Sequence, residues 1–84
     1  MNAEEMFEKL GYKQLGSFSP DDNYIIIAWN TEKYGETFTI YFYGSKEVRT
    51  VMETKKGEIY PPIISLEELK AINKQIEELG WNNE

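Results

Sequence analysis

Apolar residues recur along this chain with two different periods. Met6, Phe7 and Leu10 fall at helical spacing among the wet positions Glu4, Glu8 and Lys9. Near the other end Leu66, Leu69, Ile72, Asn73, Ile76 and Leu79 share one helical face in the same way. Between these segments, Thr37 to Tyr43 alternates with a period of two, setting Phe38, Ile40 and Phe42 against Thr37, Thr39, Tyr41 and Tyr43. The pattern predicts a helix at each end and strands between.

Local punctuation bounds the elements. Asn2 with Glu5, and Ser65 with Glu68, have the form of capping boxes. Gly11 and Gly80 stand where a left-handed residue stops a helix, so the helices are predicted from Asn2 to Gly11 and from Leu66 to Leu79. Tyr12 and Trp81 then occupy the position that a Schellman turn returns onto Phe7 and Ile76. The near-repeat FEKLGY and IEELGW is thus one stop signal written twice, and with no matching strand units around it the chain is not a repeat array.

The strands follow from β-branched and aromatic runs closed by turn residues. Tyr12 to Phe18 is one expectation, ending at the Ser19 to Asn23 turn around Pro20. Tyr24 to Trp29 is apolar on both faces and suits a central strand, with Asn30 to Glu36 returning the chain. Thr37 to Tyr43 and Glu47 to Thr54 follow, joined at Gly44, Ser45 and Lys46 and closed at Lys55 to Gly57. Glu58 to Tyr60 adds a short edge before Pro61 and Pro62, which cannot donate to a ladder. Short loops make these neighbours antiparallel.

Four strands about 4.8 Å apart form a sheet that two helices of about 10 Å diameter can cover. The expected fold is α+β in two layers. An antiparallel sheet of four strands, or five with Glu58 to Tyr60, is flanked by an N-terminal and a C-terminal helix packed on one face, order αββββα. Residues 1–84 read as a single small domain. Ile25, Ile27 and Trp29 then join Phe38, Ile40 and Phe42 toward the helices. Tyr24, Ile26 and Ala28 are left beside Thr39, Tyr41 and Tyr43 on an open face. Tyrosines there offer contact area with a polar tip to a protein partner or a second copy, although Tyr and Thr equally suit a solvated sheet face.

Composition narrows the chemistry. No cysteine and no histidine occur, which removes disulfides, thiolate or imidazole metal sites, a cysteine nucleophile and the usual neutral-pH base, so no catalytic, cofactor or metal residue is assigned. Asp21, Asp22 and Asn23 are hard oxygen donors but lack EF-hand spacing, and a turn explains them. Fifteen acids against nine bases give a net charge of −6, with Arg49 the only arginine. Scattered lysines disfavour direct nucleic-acid or lipid binding, with Lys46, Arg49, Lys55 and Lys56 the one local basic group. With no n-region and apolar stretch at the start and no apolar run of spanning length, the expectation is a cytoplasmic protein without a membrane contact. Paired acids at Glu4 and Glu5 and at Glu67 and Glu68 suit helix N-termini. Glu77 and Glu78 sit at the end their own helix dipole disfavours, which marks them as a second candidate binding site beside Tyr24, Ile26, Tyr41 and Tyr43.

AEEMFEKLGY and ISLEELKAINKQIEELGW resemble the terminal segments of small uncharacterised proteins encoded by phages and prophages of Gram-positive bacteria. The resemblance covers the helical ends, about a third of the chain, and implies a phage-associated accessory protein in the host cytosol. It brings no activity, cofactor or catalytic residue. The resulting expectation is a non-enzymatic protein-interaction module that takes a partner, or a second copy, on the open sheet face. The alternative is an acidic decoy that occupies a host nucleic-acid-binding protein.

Overall fold

Asn2 and Ser65 open the two helices because each oxygen answers a backbone N–H that the first turn leaves unpaired. The computed structural model describes residues 1–16, 24–33, 35–60 and 62–81. In it the Asn2 side chain accepts from the Glu5 N–H at 2.8 Å while the Glu5 carboxylate accepts from the Asn2 N–H at 3.1 Å, at the start of α1 (Ala3–Lys9). Ser65 and Glu68 make the same reciprocal pair at 3.1 and 2.9 Å before α2 (Leu66–Glu78). Both helices end in left-handed glycines, Gly11 (φ 92°) and Gly80 (φ 77°). The next N–H turns back, Tyr12 to the Phe7 carbonyl at 2.9 Å and Trp81 to that of Ile76 at 3.3 Å, which is the Schellman pattern. Phe7 and Tyr12 meet edge to face with ring centroids 5.4 Å apart, so the expected aromatic clasp on the first helix is present.

Along the chain, five antiparallel strands follow α1 and precede α2 in a simple meander: β1 (Lys13–Gln14), β2 (Ile25–Lys33), β3 (Glu36–Tyr43), β4 (Glu47–Glu53) and β5 (Ile59–Tyr60), paired in chain order. The fold is α+β, an antiparallel sheet with a helix before and after it, and the optional fifth strand is formed. The chain forms two compact units, a helical one of Met1–Tyr12 with Ile63–Glu84 and a sheet of Lys13–Pro62.

In the sheet unit, register places Ile27, Trp29 and Thr31 opposite Phe42, Ile40 and Phe38, and these in turn opposite Val48, Thr50 and Met52. Trp29, Phe38, Ile40 and Phe42 are buried, as the alternation predicts. Three expectations change. The strand expected over Tyr12 to Phe18 is only Lys13–Gln14, because Tyr12 is consumed by the helix stop; Ser17 and Phe18 lie outside the described residues, as do the Ser19 to Asn23 turn and Pro61. β2 does not turn at Asn30 but runs to Lys33, since its polar residues find cross-strand partners: the Asn30 amide donates to the Thr39 hydroxyl at 2.8 Å. The register also shifts between Ile25 and Ile27, so a bulge at Ile26 interrupts the alternation assumed for Tyr24 to Trp29.

In the helical unit, α1 and α2 run antiparallel and exchange polar bonds at both ends. The Tyr12 hydroxyl donates to the Glu68 carboxylate at the start of α2, and the Ala3 N–H donates to Glu78 Oε2 at 2.6 Å at its end. The buried face of α2 is not the expected one. Its buried residues are Glu68, Ala71, Ile72 and Gln75, whereas Leu66 is 63% exposed and Leu69 and Asn73 are also exposed. Hydrophobicity alone favours burying Leu66 and Leu69. Glu68 is buried instead because both of its oxygens accept, one from Ser65 N–H and one from Tyr12.

Candidate interaction surface

The tyrosine-bearing face of the sheet is assembled at the β3–β4 hairpin. The Lys46 N–H donates to the Tyr43 carbonyl at 3.0 Å and Lys46 takes a left-handed conformation (φ 67°), the position that Gly57 fills in the next hairpin. A side chain there carries a conformational cost, but the turn sets Tyr43 opposite Glu47 and Tyr41 opposite Arg49. On the other flank Tyr41 pairs with Ala28 and Tyr43 with Ile25, while the Tyr24 carbonyl accepts from the Gly44 N–H.

The aromatic rings and the arginine then meet. Tyr41 and Tyr43 lie with centroids 6.3 Å apart and planes tilted by 42°, and Arg49 Cζ stands 5.5 Å from the centre of the Tyr43 ring. A cleft of about 530 Å³ opens here, lined by Tyr24, Tyr43, Ser45, Glu47, Val48, Arg49 and Thr50. Ser45 donates to Glu47 Oε1 at 2.8 Å, so the one acid of the cleft already has a donor. Among the described residues no carboxylate pairs with Arg49; its contact is the ring of Tyr43.

Tyr24 is 71% exposed and Ile26 49%, and Tyr41 and Tyr43 are half-buried. The bulge swings Ile26 out of the ladder, and Tyr24 and Tyr43 share the cleft. Ala28 and Thr39, expected on the same open face, are buried instead. Ala28 is small and sits between Tyr41 in β3 and the chain at Leu15, whose N–H donates to the Ala28 carbonyl at 3.0 Å.

Glu77 and Glu78 belong to the helical unit and have separate roles. Glu78 receives the Ala3 N–H, so its charge lies at the positive end of α1 while it sits at the negative end of its own helix. Glu77 accepts from Lys74 Nζ at 3.5 Å. The suspected basic group is also divided. Lys46 and Arg49 stand at one end of β4 and Lys55 and Lys56 beyond the other, a strand of seven residues spanning about 20 Å.

The large acid–base shift belongs to the helical unit. Burial, and then its bond to the Glu68 carboxylate, pushes the Tyr12 phenol far above the ordinary tyrosine range. Among the described residues no three acids converge on a point that would hold a metal ion, and no helix is long and apolar enough to cross a membrane. Sequence reasoning singled out the tyrosines but not the role of Arg49, which needs the β3–β4 register to come over Tyr43. Its one visible signal was being the only arginine in an acidic chain. Comparison of the chain with protein families, with curated proteins and with solved structures returns no match.

Proposed function

We propose that this protein is a non-enzymatic protein-interaction module that meets its partner on the sheet surface formed by Tyr24, Ile26, Tyr41, Tyr43 and Arg49. The observation that carries the reading is the exposure of Tyr24 and Ile26 together with a cleft that brings Tyr24, Tyr43 and Arg49 to one place, with Tyr41 against the Tyr43 ring. Tyrosine and arginine contribute most to interfaces per residue, because each buries a large area and finishes in a hydrogen-bonding group.

The resemblance of the two helical ends supports placing the module among phage or prophage accessory proteins, acting on a protein of the bacterial host cytosol. Glu77 and Glu78 leave the proposed surface, since bonds within the helical unit, from Lys74 and from the Ala3 N–H, account for them. The test is affinity capture from a Gram-positive host lysate with wild type and with Ile26→Glu combined with Tyr41→Glu, after circular dichroism has matched the two folds. Partners held by wild type should be lost by the double variant. An identical set of partners on both would move the site elsewhere.

A further inference from the structure

We infer that the outer edge of β4, at Val48 and Thr50, takes an extended carboxylate-bearing segment of a partner protein as an added strand; this rests on the interaction surface proposed above and names how it is used.

β5 covers only the far end of β4, pairing Tyr60 with Met52 and Ile59 with Glu53. Among the described residues no strand pairs with Glu47 to Val51 on that side. Successive residues of a strand point their backbone groups to opposite sides. The Thr54 N–H donates to the Glu58 carbonyl at 2.9 Å, across to the β5 side, and the register between β3 and β4 is unbroken from Glu53 to Glu47. Counting back by twos, Met52, Thr50 and Val48 also face outward. Met52 meets β5, and Thr50 and Val48 present open donors and acceptors.

Sheet edges are ordinarily closed by a proline, a bulge, a very short strand or charged side chains, and of these β4 carries only the charges, Arg49 among them. β4 has seven residues, no proline and no bulge against β3. β5 already uses this edge, so a strand beyond it would continue an existing ladder. Main-chain bonds of this kind give affinity while alternate side chains give selectivity. Here Glu47, Val48, Arg49 and Thr50 all line the cleft with Tyr24 and Tyr43, so side chains of the added strand on the Arg49 face reach into it.

Arg49 selects the chemistry. Its guanidinium lies against the Tyr43 ring and keeps its fork of N–H donors for a carboxylate. A second copy of the chain fits less well. Pairing β4 with itself about Arg49 sets two arginines directly opposite, and sliding the register to Val48 runs the ladder into the turn at Gly44 to Lys46.

The probe is a peptide selected against the whole chain from a library of random extended segments of about nine residues. Selected peptides should alternate apolar and polar residues and carry Asp or Glu. Fluorescence anisotropy should show about tenfold weaker binding to Thr50→Pro, which deletes an outward donor without touching the β3 ladder, and about tenfold or more to Arg49→Glu. A lysine replacing the acid of the peptide should restore affinity for Arg49→Glu. Should Thr50→Pro misfold, amide exchange on the wild-type complex decides, with Val48 and Thr50 slowing on binding. Unchanged exchange at both amides, or a library that selects nothing, overturns strand addition. A peptide lost by Ile26→Glu with Tyr41→Glu but held by Thr50→Pro leaves the interaction surface standing and removes the strand. A concentration-dependent dimer abolished by Thr50→Pro would make the occupant a second copy and overturn the partner segment.

Discussion

Glu68 and Arg49 are both charged groups set against a tyrosine, and they are handled in opposite ways. Glu68 is 2% exposed, and both of its oxygens accept, from the Ser65 backbone and from the Tyr12 hydroxyl. Arg49 lies over Tyr43 in an open cleft with no carboxylate partner among the described residues. A buried charge is tolerable only when its partners are supplied within the fold, so the helical unit is closed around Glu68. A charge at the rim keeps its water until another molecule replaces it. The first arrangement holds structure together, whereas the second is available for recognition.

The sharpest way to break this contrast is to remove each charge and compare stabilities. Glu68→Ala deletes half of a capping box and strands the buried Tyr12 hydroxyl, and should cost about 2–4 kcal/mol in urea unfolding. For a chain of this length that is a large share of the expected total. Glu68→Gln keeps the shape and one acceptor, and should recover more than half of the loss. If Glu68→Ala unfolds at the wild-type midpoint, the carboxylate is not holding the helix pair.

Tyr12→Phe should cost about 1–2 kcal/mol by leaving one Glu68 oxygen without its donor. It also carries a pH signature. The phenol titrates higher in the folded chain than its unfolded value of about 10, so folding favours the protonated form. That contribution is complete below about pH 10 and is lost as pH rises beyond it. Wild type should therefore lose stability more steeply than Tyr12→Phe between neutral and strongly alkaline pH. Parallel declines would place the hydroxyl outside the buried bond.

Gly80→Val tests the second helix stop. Among the described residues no atom beyond the glycine's own chain neighbours lies within 4 Å of the position a Cβ would take, so the cost is that of the left-handed backbone, about 1–2 kcal/mol, with a shift in Trp81 fluorescence as the Ile76 bond loosens. Stops and caps of this kind were legible because their partners lie within six residues: Asn2 and Glu5, Ser65 and Glu68, Phe7 and Tyr12. The strand order followed from the same local cues. The buried face of α2 was not legible, because the partner that admits Glu68 is Tyr12, 56 residues away. The bulge at Ile26 was hidden for a different reason: a six-residue apolar run has no period to lose. The tyrosine face was readable from the alternation of β3, but placing Arg49 over Tyr43 needs the register across the hairpin.

Arg49→Ala should have the smallest effect on folding and the clearest effect on binding. A side chain at the cleft without an ion pair among the described residues contributes through its contact with the Tyr43 ring, so unfolding should shift by no more than about 0.5 kcal/mol. The strained turn beside it supplies the control. Lys46→Gly should raise stability by a similar amount, by relaxing a left-handed backbone without touching the guanidinium. Together the two variants separate stability from recognition at one hairpin: Arg49→Ala should weaken the selected peptide about tenfold at nearly unchanged urea midpoint, and Lys46→Gly should move the midpoint while leaving Arg49 in place. If Arg49→Ala destabilises the chain as much as Glu68→Ala does, the arginine belongs to the fold and the contrast between the two charges fails.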